Sequence, residues 1–310
     1  MLEDTQKDVA LKILNEELSI KPLEVTRFTT GYCHSVYYVK TATDEFVLRV
    51  TSEENKGFYY ASVKWMRELA QLEIPVPKVL KHGQFEDAYY TFITYIEGRD
   101  IGEVYHTLND FEKYDIVKSL AEIQRKMAAL PSIGRYGYDG WSFDTWVEYV
   151  EFDVGRFRGG IEQNKVFDVS VCDEVEKVKN TLKDYFLSVK PTAFLDDITT
   201  KNVLVHNGKL TGIVDVDTVC YGDSLAVIGL TNMALLDMKV DTKYIDYWLD
   251  ELQANETQRK VVTFYTLVSC IDFMSEQGSR FDNGTLIAVD QEKVEFLKSI
   301  YRSLLEKLKK

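Results

Sequence analysis

The sequence predicts an α+β chain in two lobes, a small, mostly antiparallel sheet lobe with one main helix and a larger, mostly helical lobe. Three observations predict it. Within the first hundred residues the segments run strand, strand, strand, helix, strand, strand, an order that suits one antiparallel sheet with a helix laid against it. Past Glu97-Gly98 the apolar spacing becomes helical. A chain of 310 residues has room for two lobes, and no repeat or low-complexity tether separates them, so residues 1–96 and 97–310 are expected to be the two units.

Each element has its own signal. Leu23 to Phe28 is strand-like and leads into Thr29-Thr30-Gly31. Ser35 to Lys40 and Glu45 to Thr51 flank the turn Thr41 to Asp44 and predict a hairpin. A helix is expected around Glu54 to Leu72, where Val63, Met66, Leu69 and Leu72 form a stripe; Pro75 and Pro77 stop it. Lys78 to His82 and Ala88 to Ile96 are the next strands. In the second lobe Ile116, Leu120, Ile123, Met127 and Leu130 recur at helical spacing. Residues 140–152 carry Trp141, Phe143, Trp146 and Tyr149, and residues 173–188 show a further helical pattern. Val261 to Phe273 is apolar enough to be a buried helix, and Val294, Leu297, Ile300, Leu304 and Leu308 mark the last amphipathic one.

Composition excludes several classes. A net charge of −13 argues against nonspecific nucleic-acid binding and is weakly in favour of cationic substrates. No run of eighteen or more apolar residues is present, so no membrane span is expected. The charged, helix-like start MLEDTQKDVALKIL lacks the apolar region of a signal peptide. Cys33, Cys172, Cys220 and Cys270 are scattered, which suits incidental thiols in a reducing cytoplasm rather than a disulfide framework or zinc site. The four histidines lack metal-ligand spacing, and no Gly-x-Ser-x-Gly is present to begin a serine hydrolase.

The most informative stretch is FLDDITTKNVLVHNGKLTGIVDVD, residues 194–217. Asp197 precedes Asn202 by five positions; Val203 to Val205 and Leu210 to Val214 are strand-like, joined by a tight Asn207-Gly208 turn. Such a hairpin brings Asn202 and Asp215 to one end, with Asp197 on the loop before them. One acid to receive a hydroxyl proton and two oxygen ligands for magnesium is what kinase-type phosphoryl transfer requires. Asp, Asn and Gly are also ordinary turn residues, so context decides. In the first lobe, Gly31 in the turn Thr29 to Ser35 would let backbone amides approach a phosphate, and Ser35 could add a hydroxyl contact; an ordinary hairpin turn is the alternative. Arg49 in EFVLRVT either meets a phosphate or a helix carboxylate, or points to solvent by alternation.

Taken together these segments resemble the aminoglycoside phosphotransferase family of small-molecule kinases, which have a protein-kinase-like bilobal fold and are related to choline and fructosamine kinases. The resemblance runs from about residue 20 to 235. TTGYCHSVYYV is similar to the nucleotide-positioning loop, VLRV to the strand with the phosphate-binding basic residue, LAQLEIPVPKVL to the stretch ending in Pro-x-Pro, and YYTFITYIEG to the inter-lobe hinge. DDITTKN resembles the catalytic loop, IVDVD the metal-binding strand end, and YGDSLAVIGL with Asp223 the segment after it. The resemblance implies ATP and Mg2+ as cofactors, without distinguishing ATP from GTP. It makes Asp197 the base or hydroxyl-orienting acid, Asn202 and Asp215 the magnesium ligands, and Arg49 the contact to the α- and β-phosphates. Asp217 would assist with a second metal or by hydrogen bonding, and the backbone of Thr94, Tyr95 and Ile96 would pair with adenine. The acceptor would bind in the helical lobe, where Asp139, Trp141, Trp146, Glu148, Asp272 and Glu276 are candidates. Asp272 lies in a very apolar segment, where it either faces a cleft and binds an amino group or sits on the helix surface.

Three positions depart from the family pattern. Leu195-Asp196-Asp197 stands where His-Gly-Asp is usual, and Leu195 could fill the histidine's space by apolar packing. The helix position for the Glu that pairs with the strand's basic residue falls near Ser62, leaving Glu53, Glu54 and Glu68 as candidates. Arg49 stands for the usual Lys, and its fork suits phosphate. The expected function is therefore a magnesium- and ATP-dependent kinase of a small-molecule hydroxyl. The first-choice acceptor is an aminoglycoside or other aminated sugar, the second a fructosamine-, choline- or homoserine-type metabolite. A nucleotide-binding pseudokinase acting as an interaction module and a metal-dependent hydrolase are the rival readings. The expected partner is this acceptor, cationic by the chain's charge, with no nucleic acid, no membrane and no obligate protein partner.

Overall fold

The computed structural model describes residues 2–28, 34–279 and 287–309. The chain forms two compact units: residues 1–99 with 204–206 and 211–218, and residues 100–203 with 207–210 and 219–310. The hairpin strands thus contribute to the first unit although they follow it by a hundred residues.

The first unit holds α1 (Leu2–Lys12), β1 (Glu24–Arg27), β2 (Ser35–Lys40), β3 (Glu45–Ser52), α2 (Lys56–Gln71), β4 (Val79–Phe85) and β5 (Ala88–Thr94). Its sheet is antiparallel with order β1-β2-β3-β5-β4, as expected for a meander with a helix inserted before the last hairpin. Alternation puts Tyr37, Val39, Leu48 and Val50 into a core with Ala10, Ile13, Leu14, Tyr90 and Phe92, each large side chain stabilising by about 1.5–3 kcal/mol on full burial. The stripe read from α2 is real: Val63, Met66 and Leu69 are buried. Arg49 and Thr51 are buried too, at 6% and 1% exposure, so simple alternation to solvent does not describe this strand.

The second unit is mostly helical. It contains β6 (Arg99–Asp100, which starts in the first unit), α3 (Ile101–Val104), α4 (Asp110–Ala128), β7 (Tyr136–Tyr138), β8 (Trp141–Phe143) and α5 (Trp146–Asn164). Next come α6 (Ser170–Thr181), α7 (Lys183–Ser188) and β9 (Thr192–Phe194), then, after the hairpin strands β10 (Val203–His206) and β11 (Lys209–Ile213) that belong mainly to the first unit, β12 (Cys220–Gly222). It closes with α8 (Leu225–Asp237), α9 (Lys243–Glu251), α10 (Glu256–Glu276) and α11 (Gln291–Leu308). Asn109, Thr145 and Asn255 close capping boxes on α4, α5 and α10, which fixes where those helices start. A four-stranded sheet of order β8-β7-β12-β9 crosses the unit. Asn207 and Gly208, at φ +50° and +72°, make the left-handed two-residue turn that Asn-Gly predicts.

Helix α10 is the central helix expected from its apolar run, and it packs on α8, α11 and α5. At its contact with α8, a Cβ on Gly229 would lie 2.3 Å from Tyr265 Cβ and 2.8 Å from Tyr265 C. Backbone cannot yield as a side-chain tip can. Gly229→Ala is therefore expected to destabilise the protein by about 1–3 kcal/mol, read as a lower urea midpoint at unchanged slope.

Candidate active site

The first unit carries a buried charge cluster at the end of β11. Past Ile213 the chain leaves the sheet, and Asp215 adopts φ +58°, a left-handed conformation that costs a non-glycine residue about 1–3 kcal/mol and concentrates at functional sites. Just before that turn Ile213 N donates to Pro75 O at 2.7 Å, so β11 is tied down before it bends. Gly212 allows this approach, since a Cβ there would meet Ile96 Cδ1 at 2.5 Å.

Arg49, from β3, is the cation of the cluster. Its Nη2 donates to Asp217 Oδ2 at 2.7 Å and to Asp215 Oδ1 at 3.3 Å. Asp217 Oδ2 also meets His34 Nε2 at 2.7 Å, while His34 Nδ1 meets Thr51 Oγ1 at 2.7 Å. Burial works to raise the Asp217 carboxyl, but the Arg49 charge and the His34 and Arg49 bonds outweigh it, so Asp217 sits below the usual range. Asp215 goes the other way: burial and the charge of Asp217 push it up against the pull of Arg49. Its side chain is 52% exposed, so one oxygen can face an incoming group.

Arg49's partners are thus hairpin-end carboxylates rather than a helix glutamate. Glu53 is paired with Lys56 at 2.6 Å, Glu54 accepts from Ser52 Oγ, Ser62 donates to Tyr59 O, and Glu68 is not among the partners of Arg49. Sequence reasoning missed His34 and Thr51. Their only signal is that each is a polar residue beside a sheet position that alternation makes inward.

The remaining predicted nucleotide contacts lie in the same unit. Ser35 is buried, and its hydroxyl donates to Gln6 Oε1 at 2.6 Å. Thr94 closes β5, its N–H donating to Lys78 O at 3.0 Å. Tyr95 packs edge-on against Tyr38 at 5.3 Å, and Ile96 lies over Gly212. Gly31 lies outside the described residues.

The second unit carries the loop between β9 and β10. Leu195 is 3% exposed, packed as expected for a residue standing where a histidine is usual. The successive aspartates diverge in their contacts. Asp196 accepts from Tyr138 Oη at 2.6 Å, whereas Asp197 is exposed and accepts from Thr199 Oγ1 at 3.0 Å. Asn202 Nδ2 donates to Asp197 O at 2.9 Å. That bond orients the amide and leaves its oxygen as the atom able to bind a ligand.

The predicted acceptor residues separate into two groups. Trp146 is 1% exposed, its indole N–H donating to Tyr265 Oη at 2.6 Å. It is a core side chain, not a cleft wall. Glu148 is the α5 capping carboxylate. Asp139 and Trp141, by contrast, are exposed on the β7–β8 turn and β8; Trp141 stacks on Tyr138 and meets Phe152 and Phe143 edge-on. Asp272 and Glu276 share one face of α10. Asp272 is partly buried, and burial with the charge of Glu276 raises it to about 7, against the pull of Arg156.

The sign of that shift gives a pH dependence. Between the unfolded-chain value near 4 and about 7 the native state holds the extra proton, so this group's contribution to stability falls as pH rises through that window and is level above it. Asp272→Asn is expected to flatten the urea midpoint between pH 4 and 7, relative to wild type.

Two features of the cluster suit a divalent cation. Asp217 Oδ1 is buried with no hydrogen-bond partner among the described residues, and the Asp215 carboxylate, 52% exposed, offers a further oxygen donor. Hard oxygen donors of this type fit Mg2+. Among the described residues no group of three or more His, Cys, Asp or Glu is placed to hold a metal ion by itself.

An antiparallel sheet unit with a buried strand cation and a mostly helical unit give the chain a protein-kinase-like fold. Comparison with known proteins agrees. The chain belongs to the phosphotransferase enzyme family, whose profile it matches over residues 24–260. It is 25% identical over 226 residues to hygromycin-B 4-O-kinase of Escherichia coli, covering 69% of this chain and 64% of that protein. It is 30% identical over 83 residues to a probable ketoamine kinase of Staphylococcus aureus, covering 26% of this chain and 29% of that one. The chain therefore spans less than two thirds of the length of these relatives. The fold matches the aminoglycoside phosphotransferase APH(4)-Ia, solved as a ternary complex with ADP and hygromycin B, at TM-score 0.66 and 17% identity, covering 95% and 97% of the two chains. It matches a fructosamine-3-kinase from Haemophilus somnus, described there as putative, at TM-score 0.64 and 12% identity, covering 96% and 95%. Among the described residues no helix is long and apolar enough to cross a membrane.

Proposed function

We propose that this protein transfers the γ-phosphoryl group of Mg·ATP to a hydroxyl of an aminated small molecule, with a sugar-like acceptor first. The observation that carries the reading is the buried Arg49 drawn to the carboxylates at the hairpin end, Asp217 and Asp215. A strand cation with donors to spare beside an exposed carboxylate suits a triphosphate and its counter-ion. The family membership supports the same chemistry, and relatives named as kinases of hygromycin B and of ketoamines support an aminated acceptor.

In this reading Arg49 neutralises charge on the α- and β-phosphates, and the Thr94 to Ile96 backbone receives the base. Asp197 accepts the proton of the acceptor hydroxyl as its oxygen attacks the γ-phosphorus, and ADP leaves. Asp215 and Asn202 would hold the magnesium, which when bound offsets charge on the phosphate oxygens. Asp139, Trp141, Asp272 and Glu276 are the residues proposed to meet the acceptor; Trp141's exposed ring suits an ammonium or sugar face, and Glu276, raised mainly by burial, adds negative charge beside Asp272. Positioning and charge neutralisation account for most catalysis of this type.

The test is ADP release, coupled to a reporter enzyme, over a panel of aminoglycosides, macrolides, glycated amines, choline and homoserine. Stimulation by an aminated sugar supports the reading. Release from ATP with no dependence on any acceptor would favour a hydrolase.

A further inference from the structure

We propose that Asp217, held by His34 and Thr51, is the carboxylate that positions Arg49 for nucleotide phosphate, so that this chain orients its strand cation from the sheet and hairpin and not from helix α2. The inference rests on the phosphate-binding role proposed for Arg49 and names positioning residues for it.

The geometry is specific. A buried guanidinium requires a counter-charge, and the α2-side carboxylates Glu53 and Glu54 are engaged by Lys56 and Ser52. Asp217 Oδ2 receives both Arg49 Nη2 and His34 Nε2 at 2.7 Å. His34 is itself fixed through Nδ1 by Thr51 Oγ1 at 2.7 Å. Thr51 and Arg49 both lie on β3, two residues apart and both buried. The relay thus leaves β3 at Thr51, passes through His34 and Asp217, and returns to β3 at Arg49. Such a closed circuit fixes the guanidinium at one end only. Arg has five N–H donors, and among the described residues only Nη2 is taken. The Nε and Nη1 hydrogens remain for phosphate oxygens. The weaker 3.3 Å contact to Asp215 is the one a phosphate would replace, while the 2.7 Å bond to Asp217 persists.

The test is titration calorimetry of Mg·ATP with the full chain, with near-UV circular dichroism as the check on folding. Asp217→Asn and His34→Leu are expected to weaken Mg·ATP binding by about tenfold, the loss of one charge-assisted bond. His34→Gln, which keeps a donor near Nε2, is expected to recover most of it, a rescue that simple core packing would not produce. Glu54→Gln and Glu68→Gln are expected to bind as wild type does. In turnover, the positioning variants raise the KM for ATP and leave the KM for the acceptor unchanged. Wild-type affinity in a folded Asp217→Asn protein overturns the inference, as does a tenfold loss in Glu68→Gln. Should Asp217→Asn fail to fold, His34→Leu decides by the same criterion. A wild-type chain that ignores Mg·ATP would instead overturn the functional reading itself.

Discussion

Asp197→Asn is expected to lower phosphoryl transfer by about 10²–10⁴-fold, the usual contribution of a positioned acid–base group, while Mg·ATP still binds. Asp197 is exposed, and its carboxylate accepts from the neighbouring Thr199 hydroxyl at 3.0 Å. An amide of the same shape keeps that bond as acceptor, so the loop should fold as before. What it loses is the capacity to take a proton. The backbone carbonyl of Asp197 that orients Asn202 is untouched by the substitution, so ligand binding through Asn202 should persist. Single-turnover transfer and nucleotide affinity, measured on one preparation, separate the two effects. Equal turnover in wild type and variant would remove Asp197 from the mechanism.

Arg49→Met should have the largest effect on stability. Methionine matches the arginine stem in length but leaves Asp217, 12% exposed at its side chain, without its cation and facing Asp215. Breaking a buried pair by deleting one partner costs about 3–5 kcal/mol. The loss should be greatest near neutral pH. The Asp217 carboxyl is lowered in the fold chiefly through Arg49 acting against burial; that stabilisation is present above the unfolded-chain value and is lost as pH falls through the folded value. Arg49→Met should therefore narrow its deficit relative to wild type in acid. Nucleotide affinity should fall at the same time. Arg49→Lys should retain the charge and lose less stability than Arg49→Met, because an ammonium can still reach one carboxylate.

Much of the fold was legible because its signals are local. The period-two run of Ser35 to Lys40, the stripe on α2 and the Asn207-Gly208 turn each depend on neighbours in sequence, and each appears where expected. The apolar run within α10 announced a central helix for the same reason. The charge cluster was only half legible. Arg49 was visible as a residue needing a partner and Asp217 as a carboxylate to assist a metal or a hydrogen bond, but their partnership spans 168 positions, and His34 reaches Asp217 across 183. No local periodicity encodes such a distance. Trp146 shows the opposite error. The family resemblance made it a candidate for lining the acceptor site, yet its indole bonds Tyr265 inside the core, a contact that depends on how α5 packs against α10.

Transfer of labelled γ-phosphate from ATP to a panel of aminated sugars, with and without magnesium, tests the central claim most directly. The account predicts label on at least one acceptor with magnesium present, none after chelation, and none with Asp197→Asn on the timescale of wild-type turnover. Label that stays on ATP with every acceptor, or that appears only as inorganic phosphate whether or not an acceptor is present, would contradict it.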